Sequence, residues 1–216
     1  YGYIPALGTI FRGVQKLRAG ELLVWENGRA TPRIYWSPKG GGGGARRSDR
    51  EYVDELRHLV EDSVRLRLRS DVPVGAFLSG GLDSSGIVAF ASRQLSRPIE
   101  TFSVSFGRPD FDETPLARLT SERYHTNHHD LVVTDSGMIV FDELVAHFDE
   151  PFADPSMLPT YFIAREASRA VKVCLSGDAG DEVFGGYTHY VDALRYARAD
   201  TVPAAVREPL GQALSA

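Results

Sequence analysis

The chain has 216 residues, of which 43% are hydrophobic, 10% aromatic and 25% charged. This is the composition of an ordinary folded domain, so it excludes disordered, collagen-like and disulfide-scaffold proteins. Lys and Arg number 24 and Asp and Glu number 29, and the resulting net charge of −5 argues against broad adhesion to nucleic acids or anionic membranes. A local anion site built from backbone N–H groups is compatible with that charge.

Targeting signals and reactive cysteines are not evident in the sequence. No apolar run approaches the roughly 18 residues of a membrane helix, and the first residues lack a signal-peptide pattern, so we expect a cytoplasmic protein with no membrane partner. The single cysteine, Cys174, lies in an apolar run and is expected to be a core thiol. Because the chain begins without Met and has no closing signal, we expect a segment of a longer polypeptide.

Residues 1–37 have the pattern of the end of a β-structure. Apolar segments 21–25 and 33–36 flank Asn27-Gly28, a pair that favours a two-residue hairpin turn. Residues 38–47 include five consecutive glycines and predict a flexible linker.

Residues 48–216 alternate helical and strand patterns. A capping box at 48–51 starts the first helix, which continues to about residue 70. The predicted strands are 74–78, 101–106, 130–133 and 171–175, and the predicted helices between them are 84–95, 113–124, 138–148 and 160–170. This order predicts an α/β fold, a doubly wound parallel sheet with helices on both faces. Residues 192–216 are helical in composition.

The loop after the first of these strands has the composition of a phosphate cradle. Residues 79–85 read Ser-Gly-Gly-Leu-Asp-Ser-Ser and lead directly into a helix, whose positive end would face a bound anion. The pattern does not match GxxxxGK(S/T), GxGxxG or GxSxG, which excludes a P-loop, a dinucleotide turn and a nucleophile elbow. Asp83 beside a phosphate is unfavourable without a cation, which indicates Mg²⁺ bridging to a polyphosphate.

A second glycine-rich loop follows the last predicted strand. Residues 176–187 read Ser-Gly-Asp-Ala-Gly-Asp-Glu-Val-Phe-Gly-Gly-Tyr. Alone, this segment is equally compatible with a solvated acidic turn, and His189 at position 12 counted from Asp178 excludes an EF-hand. Ligands of such sheets bind beyond the carboxyl ends of the strands, so Asp83 and Asp181 could share Mg²⁺ with one triphosphate.

Both loops resemble known family motifs. Residues 79–85 resemble the pyrophosphate-binding loop of the ATP pyrophosphatase (PP-loop) superfamily, and residues 176–187 are similar to the SGDGGDELFGGY segment of asparagine synthetases. Residues 111–113 and 149–154 are similar to further segments of that family, and residues 1–36 resemble the last strands of its N-terminal glutaminase domain. The resemblance covers most of the chain.

This resemblance implies an ATP-dependent ligase with an adenine nucleotide alpha hydrolase-like fold. Such an enzyme adenylates the side-chain carboxylate of aspartate and releases pyrophosphate, after which ammonia displaces AMP and asparagine is formed. The substrate carboxylate is the nucleophile, so the protein need supply only positioning and charge stabilisation. The implied cofactors are ATP and Mg²⁺. The implied partners are aspartate or another carboxylic acid, and ammonia from a glutaminase domain outside this segment; a homodimer is compatible with them.

The resemblance also implies roles for individual residues. The pyrophosphate would be held by Ser79, Gly80, Gly81, Asp83 and Ser84. The adenosine would be framed by Phe77, Leu78, Val104, Ser176 and Gly177. Mg²⁺ would be bound by Asp83 and Asp181. Asp178 matches an acidic position near the reacting carboxylate and amine, so Asp178 and Asp181 are the expected catalytic residues.

The sequence departs from the family pattern in three respects. It has no N-terminal cysteine nucleophile for glutamine hydrolysis, no lysine after Tyr187, and no arginine between Asp154 and Thr160, where some asparagine synthetases hold aspartate. We therefore expect this segment alone to be inactive, and the acceptor could be another carboxylic acid.

Two other functions stay open. A related carboxylate-adenylating enzyme, of the β-lactam synthetase or peptide cyclase type, would share the loops but use another acceptor. A non-catalytic nucleotide-binding module would bind ATP without producing pyrophosphate.

Adjacent His128 and His129 would point to opposite faces of a strand, which argues against a shared metal ion. The arginines at positions 46, 47, 65, 67 and 69 are interpreted as solvated, so no nucleic-acid partner is expected.

Overall fold

The computed structural model describes residues 2–38, 47–107, 112–133, 140–148 and 150–199. Most of the predicted linker (residues 39–46) and most of the predicted C-terminal helical segment (residues 200–216) therefore lie outside the described residues.

A two-stranded antiparallel sheet forms the predicted hairpin. Its strands are β1 (Glu21–Glu26) and β2 (Arg29–Ile34). Asn27 and Gly28 join them with φ angles of 51° and 76°, the left-handed backbone that a type I′ turn requires. The second strand begins at Arg29 rather than at residue 33, because this tight turn pairs Glu26 directly with Arg29.

The second region alternates helices with short strands. Its elements are α1 (Asp49–Arg67), β3 (Val74–Phe77), α2 (Leu82–Gln94), β4 (Glu100–Ser105), α3 (Thr114–Tyr124), β5 (Asn127–Val132), α4 (Phe141–His147), α5 (Met157–Ala167), β6 (Val173–Leu175), α6 (Gly180–Phe184) and α7 (Thr188–Ala199). The four strands β3–β6 form one sheet in the order β5-β4-β3-β6, and every neighbouring pair is parallel.

Helices cover both faces of this sheet. On one face, Ala76 of β3 belongs to a buried cluster with residues of α1, α2 and α3, among them Val88 and Ala117. On the other face, Phe102 of β4 packs with Ala167 at the end of α5. Adjacent residues of a strand point to opposite faces, and the register pairs Ala76 with Thr101 and Phe77 with Phe102. Each strand therefore contributes side chains to the helical layers on both faces of the sheet. The predicted doubly wound α/β fold is confirmed.

The start of α1 shows the predicted capping box. The Ser48 hydroxyl accepts a hydrogen bond from the Glu51 N–H at 3.4 Å, and the Glu51 carboxylate accepts one from the Ser48 N–H at 2.8 Å. None of the described helices is both long enough and apolar enough to cross a membrane.

Several predicted boundaries were wrong by a few residues. β5 begins at Asn127 rather than at residue 130, because its polar side chains pair with polar side chains of β4. α5 begins at Met157 rather than at residue 160, because Pro159 lies in the first helical turn, where its missing N–H costs nothing. The short helix α6, inside the second glycine-rich loop, was not predicted.

The N-terminal segment contacts the second region directly. The Lys16 ammonium pairs with the Glu150 carboxylate, and the Ala153 N–H donates a hydrogen bond to the Gly2 carbonyl at 2.7 Å. A mainly apolar groove of about 700 Å³ lies between this segment and the helices α4 and α5.

Asp130 of β5 carries a perturbed carboxylate. Burial raises its pKa, but hydrogen bonds from the Ser103 hydroxyl at 2.7 Å and the Arg118 guanidinium at 2.6 Å outweigh burial and hold the pKa below its usual value. A lowered folded-state pKa stabilises the protein fully above the unfolded-state pKa of about 3.9. That contribution is lost as the pH falls from there through the folded-state value.

We predict that Asp130→Asn flattens the acid limb of the stability profile. As the pH decreases below about 4, the free energy of unfolding should decrease more steeply in the wild type than in the variant. Only the wild type has a carboxylate at this position that takes up a proton in this range. Urea denaturation between about pH 3 and 6 measures both slopes. Asp54→Asn, at an exposed carboxylate 3.9 Å from Arg50, serves as the control and should follow the wild type. Parallel curves for wild type and Asp130→Asn would contradict the prediction.

Candidate functional site

The strand order reverses between β3 and β6. From β3 the chain moves outward through β4 to β5, and then returns to form β6 on the other side of β3. The carboxyl ends of these two strands are therefore neighbours at the topological switch point, where ligands of open α/β sheets bind. A cleft of about 750 Å³ lies at this edge.

The cleft brings together nearly all the residues that the sequence predicted for the site. Those that line it are Phe77, Leu78, Ser79, Gly81, Asp83, Ser84, Val104, Ser176, Gly177, Asp178 and Asp181. Gly80 is the exception. It has a φ of 88°, and a Cβ at that position would lie 2.6 Å from the Ala117 nitrogen, so Gly80 forms the back of the loop against α3. Only glycine fits this turn and this close contact.

The first loop (residues 79–81) is held by its own hydroxyl groups. The Ser79 and Ser84 hydroxyls are 3.0 Å apart, the Gly81 N–H donates to Ser79 Oγ at 3.2 Å, and Ser84 Oγ donates to the Gly81 carbonyl at 3.3 Å. Gly81 is the N-cap of α2 and has no side chain to accept hydrogen bonds from the first turn. The positive end of α2 therefore faces the cleft without a capping side chain, as an anion site requires.

The acidic loop (residues 176–179) and the start of α6 lie directly against the first loop and α2. A Cβ at Gly177 would lie 2.9 Å from the Ser84 backbone nitrogen, and a Cβ at Gly180 would lie 2.6 Å from Asp83 Oδ2. The two glycines thus allow the Asp83 carboxylate and the start of α2 to approach the chain that carries Asp181. A larger residue at either position would separate the two loops.

The cleft is strongly acidic. Its charged lining residues are Asp83, Glu113, Asp178 and Asp181, and no lysine, arginine or histidine is among its lining residues. Within the described residues, the carboxylates of Asp83, Asp178 and Asp181 have no ion pair and accept no side-chain hydrogen bond. Such carboxylates are free to bind a cation.

The donor set fits Mg²⁺. In the described part of the chain, no three His, Cys, Asp or Glu side chains are grouped as a complete metal site. Mg²⁺ is commonly bound by one or two carboxylates together with substrate phosphates, rather than by a full protein cage. Asp83 in the first turn of α2 and Asp181 in the first turn of α6 both line the cleft and match that requirement.

Sequence reasoning missed two walls of the cleft. One is formed by the start of α3 with Ser103, and the other by the first turns of α5. The additional lining residues are Leu82, Ser103, Glu113, Thr114, Pro159, Thr160, Ile163, Gly180, Phe184 and Gly186. Glu113 and Thr114 start the helix that follows β4, so inspection of every strand end could have found them. The residues of α5 follow no strand, but Pro159 and Thr160 lie in segment 154–160, which the family resemblance associates with aspartate and from which no residue was assigned to the site.

The side chains of Cys174, His128 and His129 do not line the cleft. Cys174 of β6 is half-buried, and burial raises the pKa of its thiol to about 11, so the thiolate is scarce at neutral pH. His128 contacts the Thr101 hydroxyl, whereas His129 contacts the Glu100 carboxylate and stacks on Phe102. The two histidines lie on opposite faces of the sheet, as predicted.

Ala179, between Asp178 and Gly180, has a left-handed backbone. Its φ is 73°, although a Cβ makes this conformation unfavourable, and the resembling family segment has glycine there. We predict that Ala179→Gly stabilises the protein by about 1 kcal/mol through relief of this strain.

The matched control for this substitution is Ala164→Gly within α5, where the same change should destabilise by about 1 kcal/mol. Thermal or urea unfolding measures both effects, and the opposite sign of the two is the diagnostic result. If Ala179→Gly destabilises as Ala164→Gly does, Ala179 is not strained.

We predict that Gly177→Ala displaces the two loops from each other. Its Cβ would lie 2.9 Å from the Ser84 nitrogen, so the protein should lose stability by about 1–3 kcal/mol. Gly86→Ala is the control, since a Cβ there meets nothing within 4 Å inside α2, and helix propensity predicts a gain of about 1 kcal/mol. Equal effects of the two substitutions in urea unfolding would show that the contact between the loops is not tight.

Comparisons with known proteins identify the family of this chain. The family model for asparagine synthase matches residues 55–215. Asparagine synthetase 1 (glutamine-hydrolysing) of Bacillus subtilis is 34% identical over 212 residues, which are 97% of this chain and 33% of that protein. A relative from Mycobacterium tuberculosis, whose name assigns it to the glutamine-hydrolysing asparagine synthetases, is 39% identical over 214 residues, also 97% of this chain and 33% of that protein.

A solved structure, NMN synthetase from Francisella tularensis, is 16% identical and aligns with a TM-score of 0.43 over 66% of this chain and 60% of that chain. The chain spans about a third of the length of the curated relatives that it matches. The family model covers well over half of the chain and includes both loops of the cleft. The chain belongs to the asparagine synthase family.

Proposed function

We propose that this chain is part of an ATP-dependent amide-forming ligase that adenylates the side-chain carboxylate of aspartate for attack by ammonia, giving asparagine. The observation that carries the proposal is the contact of the two loops at the switch point. They bring Asp83 and Asp181 to one cleft, beside an uncapped helix N-terminus. Membership of the asparagine synthase family supports the same chemistry.

In this proposal, the first loop and the start of α2 bind the pyrophosphate part of ATP. Ser79, Gly80, Gly81, Asp83 and Ser84 provide hydroxyls, backbone N–H groups and the metal-facing carboxylate. Adenosine lies against Phe77, Leu78, Val104, Ser176 and Gly177. When bound by Asp83 and Asp181, Mg²⁺ would neutralise phosphate charge. Because the cleft is lined by four acids and no base, ATP without a cation would be repelled.

The chemistry needs no protein nucleophile. A carboxylate oxygen of the acceptor acid forms a bond to the α-phosphorus of ATP, and the bond from that phosphorus to the pyrophosphate oxygen breaks. Ammonia then adds to the acyl carbon, loses a proton, and AMP leaves with its electron pair. The chain's contribution is to orient the two reactants, with the Asp178 carboxylate positioned to hold the incoming amine.

We propose a domain organisation for this chain within a longer polypeptide. Residues 48–216 are the N-terminal part of the ATP-binding domain, residues 38–47 a linker, and residues 1–37 the last strands of a glutaminase domain. The relatives are named as glutamine-hydrolysing enzymes, so ammonia would come from such a domain in a longer polypeptide. The direct contact of Lys16 with Glu150 is consistent with two domains that meet at this point.

The acceptor acid has a second candidate class. Residues 154–160 contain no arginine, and the described residues that line the cleft include no lysine, arginine or histidine to pair with the α-carboxylate of aspartate. This observation favours, as the alternative, an acceptor acid of the kind used by β-lactam synthetases or peptide cyclases.

We predict that Asp83→Asn and Asp181→Asn each reduce AMP and pyrophosphate release by about 100-fold or more, because each removes a charge that the bound cation needs. The assay uses the full-length protein with ATP, Mg²⁺ and ammonium, with and without aspartate. Asp192→Asn, on the exposed surface of α7, is the control and should retain wild-type rates.

The outcomes separate the candidate functions. Pyrophosphate release that requires aspartate and yields asparagine supports the proposal, and release with another acid supports the alternative acceptor. ATP binding without pyrophosphate release under any of these conditions would identify a non-catalytic module. Wild-type rates in both cleft variants would overturn the assignment of Asp83 and Asp181.

A further inference from the structure

The layer between the sheet and α3 contains buried polar side chains beside its hydrophobic cluster. The buried side chains on this face include Thr101 and Ser103 of β4 and Ser121 of α3, each less than 10% exposed. They form a continuous chain of hydrogen bonds. Thr101 Oγ1 lies 2.7 Å from Thr126 Oγ1, which donates to Ser121 Oγ at 2.8 Å.

Asp130 is the centre of this network. Its Oδ1 accepts from Ser103 Oγ at 2.7 Å and lies 2.9 Å from His128 Nε2, and its Oδ2 accepts from Arg118 Nε at 2.6 Å. His128 Nδ1 is in turn 2.9 Å from the Thr101 hydroxyl. The Arg118 bond joins α3 to β5, so the network ties the helix to the edge of the sheet.

Apolar contacts alone fix α3 poorly. Ala117 is its only fully buried hydrophobic side chain and Tyr124 packs partly buried against the same cluster, whereas Leu116 and Leu119 are 55% and 63% exposed. Apolar burial through these two side chains is non-directional and does not by itself fix the position of the helix along its axis. The hydrogen bonds of Asp130 have defined directions and therefore set the position of the helix.

The position of α3 determines the position of the first loop. Gly80 lies so close to the helix that a Cβ would be 2.6 Å from the Ala117 nitrogen and from Leu116 Cβ. Ser85 of α2 is also hydrogen-bonded to Thr120 of α3 at 3.1 Å. A shift of α3 is thus transmitted directly to the loop and to the start of α2.

We propose that Arg118 and Asp130 are positioning residues for the nucleotide, because they hold α3 against Gly80 and thereby set the geometry of the first loop. Neither residue lines the cleft. The proposal rests on the proposed function only in assigning ATP to that loop. The inference that the Arg118–Asp130 ion pair orders the first loop depends only on the contacts of α3 with Asp130 and with Gly80.

The test uses Arg118→Gln, Asp130→Asn and the double variant of the full-length protein. Each single variant should raise the KM for ATP by between about 2-fold and 30-fold. It should leave the KM for the acceptor acid unchanged, and the double variant should be no worse than the more affected single one, since the two residues act as a unit. Arg123→Gln, in the last turn of the same helix and over Tyr124, is the control and should behave as the wild type.

Hydrogen exchange provides the second measurement. Amides of residues 79–86 should exchange faster in both single variants, while α1 and α5 keep wild-type protection. A general loss of protection with an unchanged KM for ATP would show a purely structural role and overturn the proposal. If the wild type releases no pyrophosphate, the proposed function fails, and unchanged exchange at residues 79–86 would separately refute the positioning role.

Discussion

The parallel pairing of β3 with β6 is the constraint on which the cleft depends. These strands are separated by almost a hundred residues, yet they register directly, Val74 with Val173 and Ala76 with Leu175. Because the strands are parallel, the loops that follow them leave the sheet at the same edge. Two segments that are each compatible with an ordinary surface turn thereby become the two halves of one site.

Close contact between the loops explains both their glycines and their charges. Gly177 and Gly180 leave room for the start of α2, and that contact brings carboxylates together without a neutralising base. The left-handed Ala179 adds backbone strain in the same loop. In the proposed function, a bound cation would offset the negative charge of the lining residues and of the polyphosphate.

The sequence predicted what depends on local pattern and missed what depends on tertiary contact. Hydrophobic periodicity, turn residues and capping residues identified the hairpin at Asn27-Gly28, the capping box at Ser48 and the alternation of strands and helices. The two loop motifs identified most of the cleft. The walls at Glu113–Thr114 and Thr160–Ile163 were missed because their positions depend on how α3 and α5 pack. The early start of β5 was missed because the polar run 126–130 satisfies a network that no single-strand pattern shows.

The two walls of the cleft are held by different forces. The α5 wall packs on Phe102 and Val171 through apolar contacts, which have no preferred direction. The α3 wall is held by hydrogen bonds to Asp130, and hydrogen bonds do have a preferred direction. Phosphate geometry tolerates little displacement, whereas acceptor acids differ in size and charge. A directional network beside the first loop and apolar packing beneath the opposite wall would let the acceptor side change its residues without displacing the loop assigned to ATP.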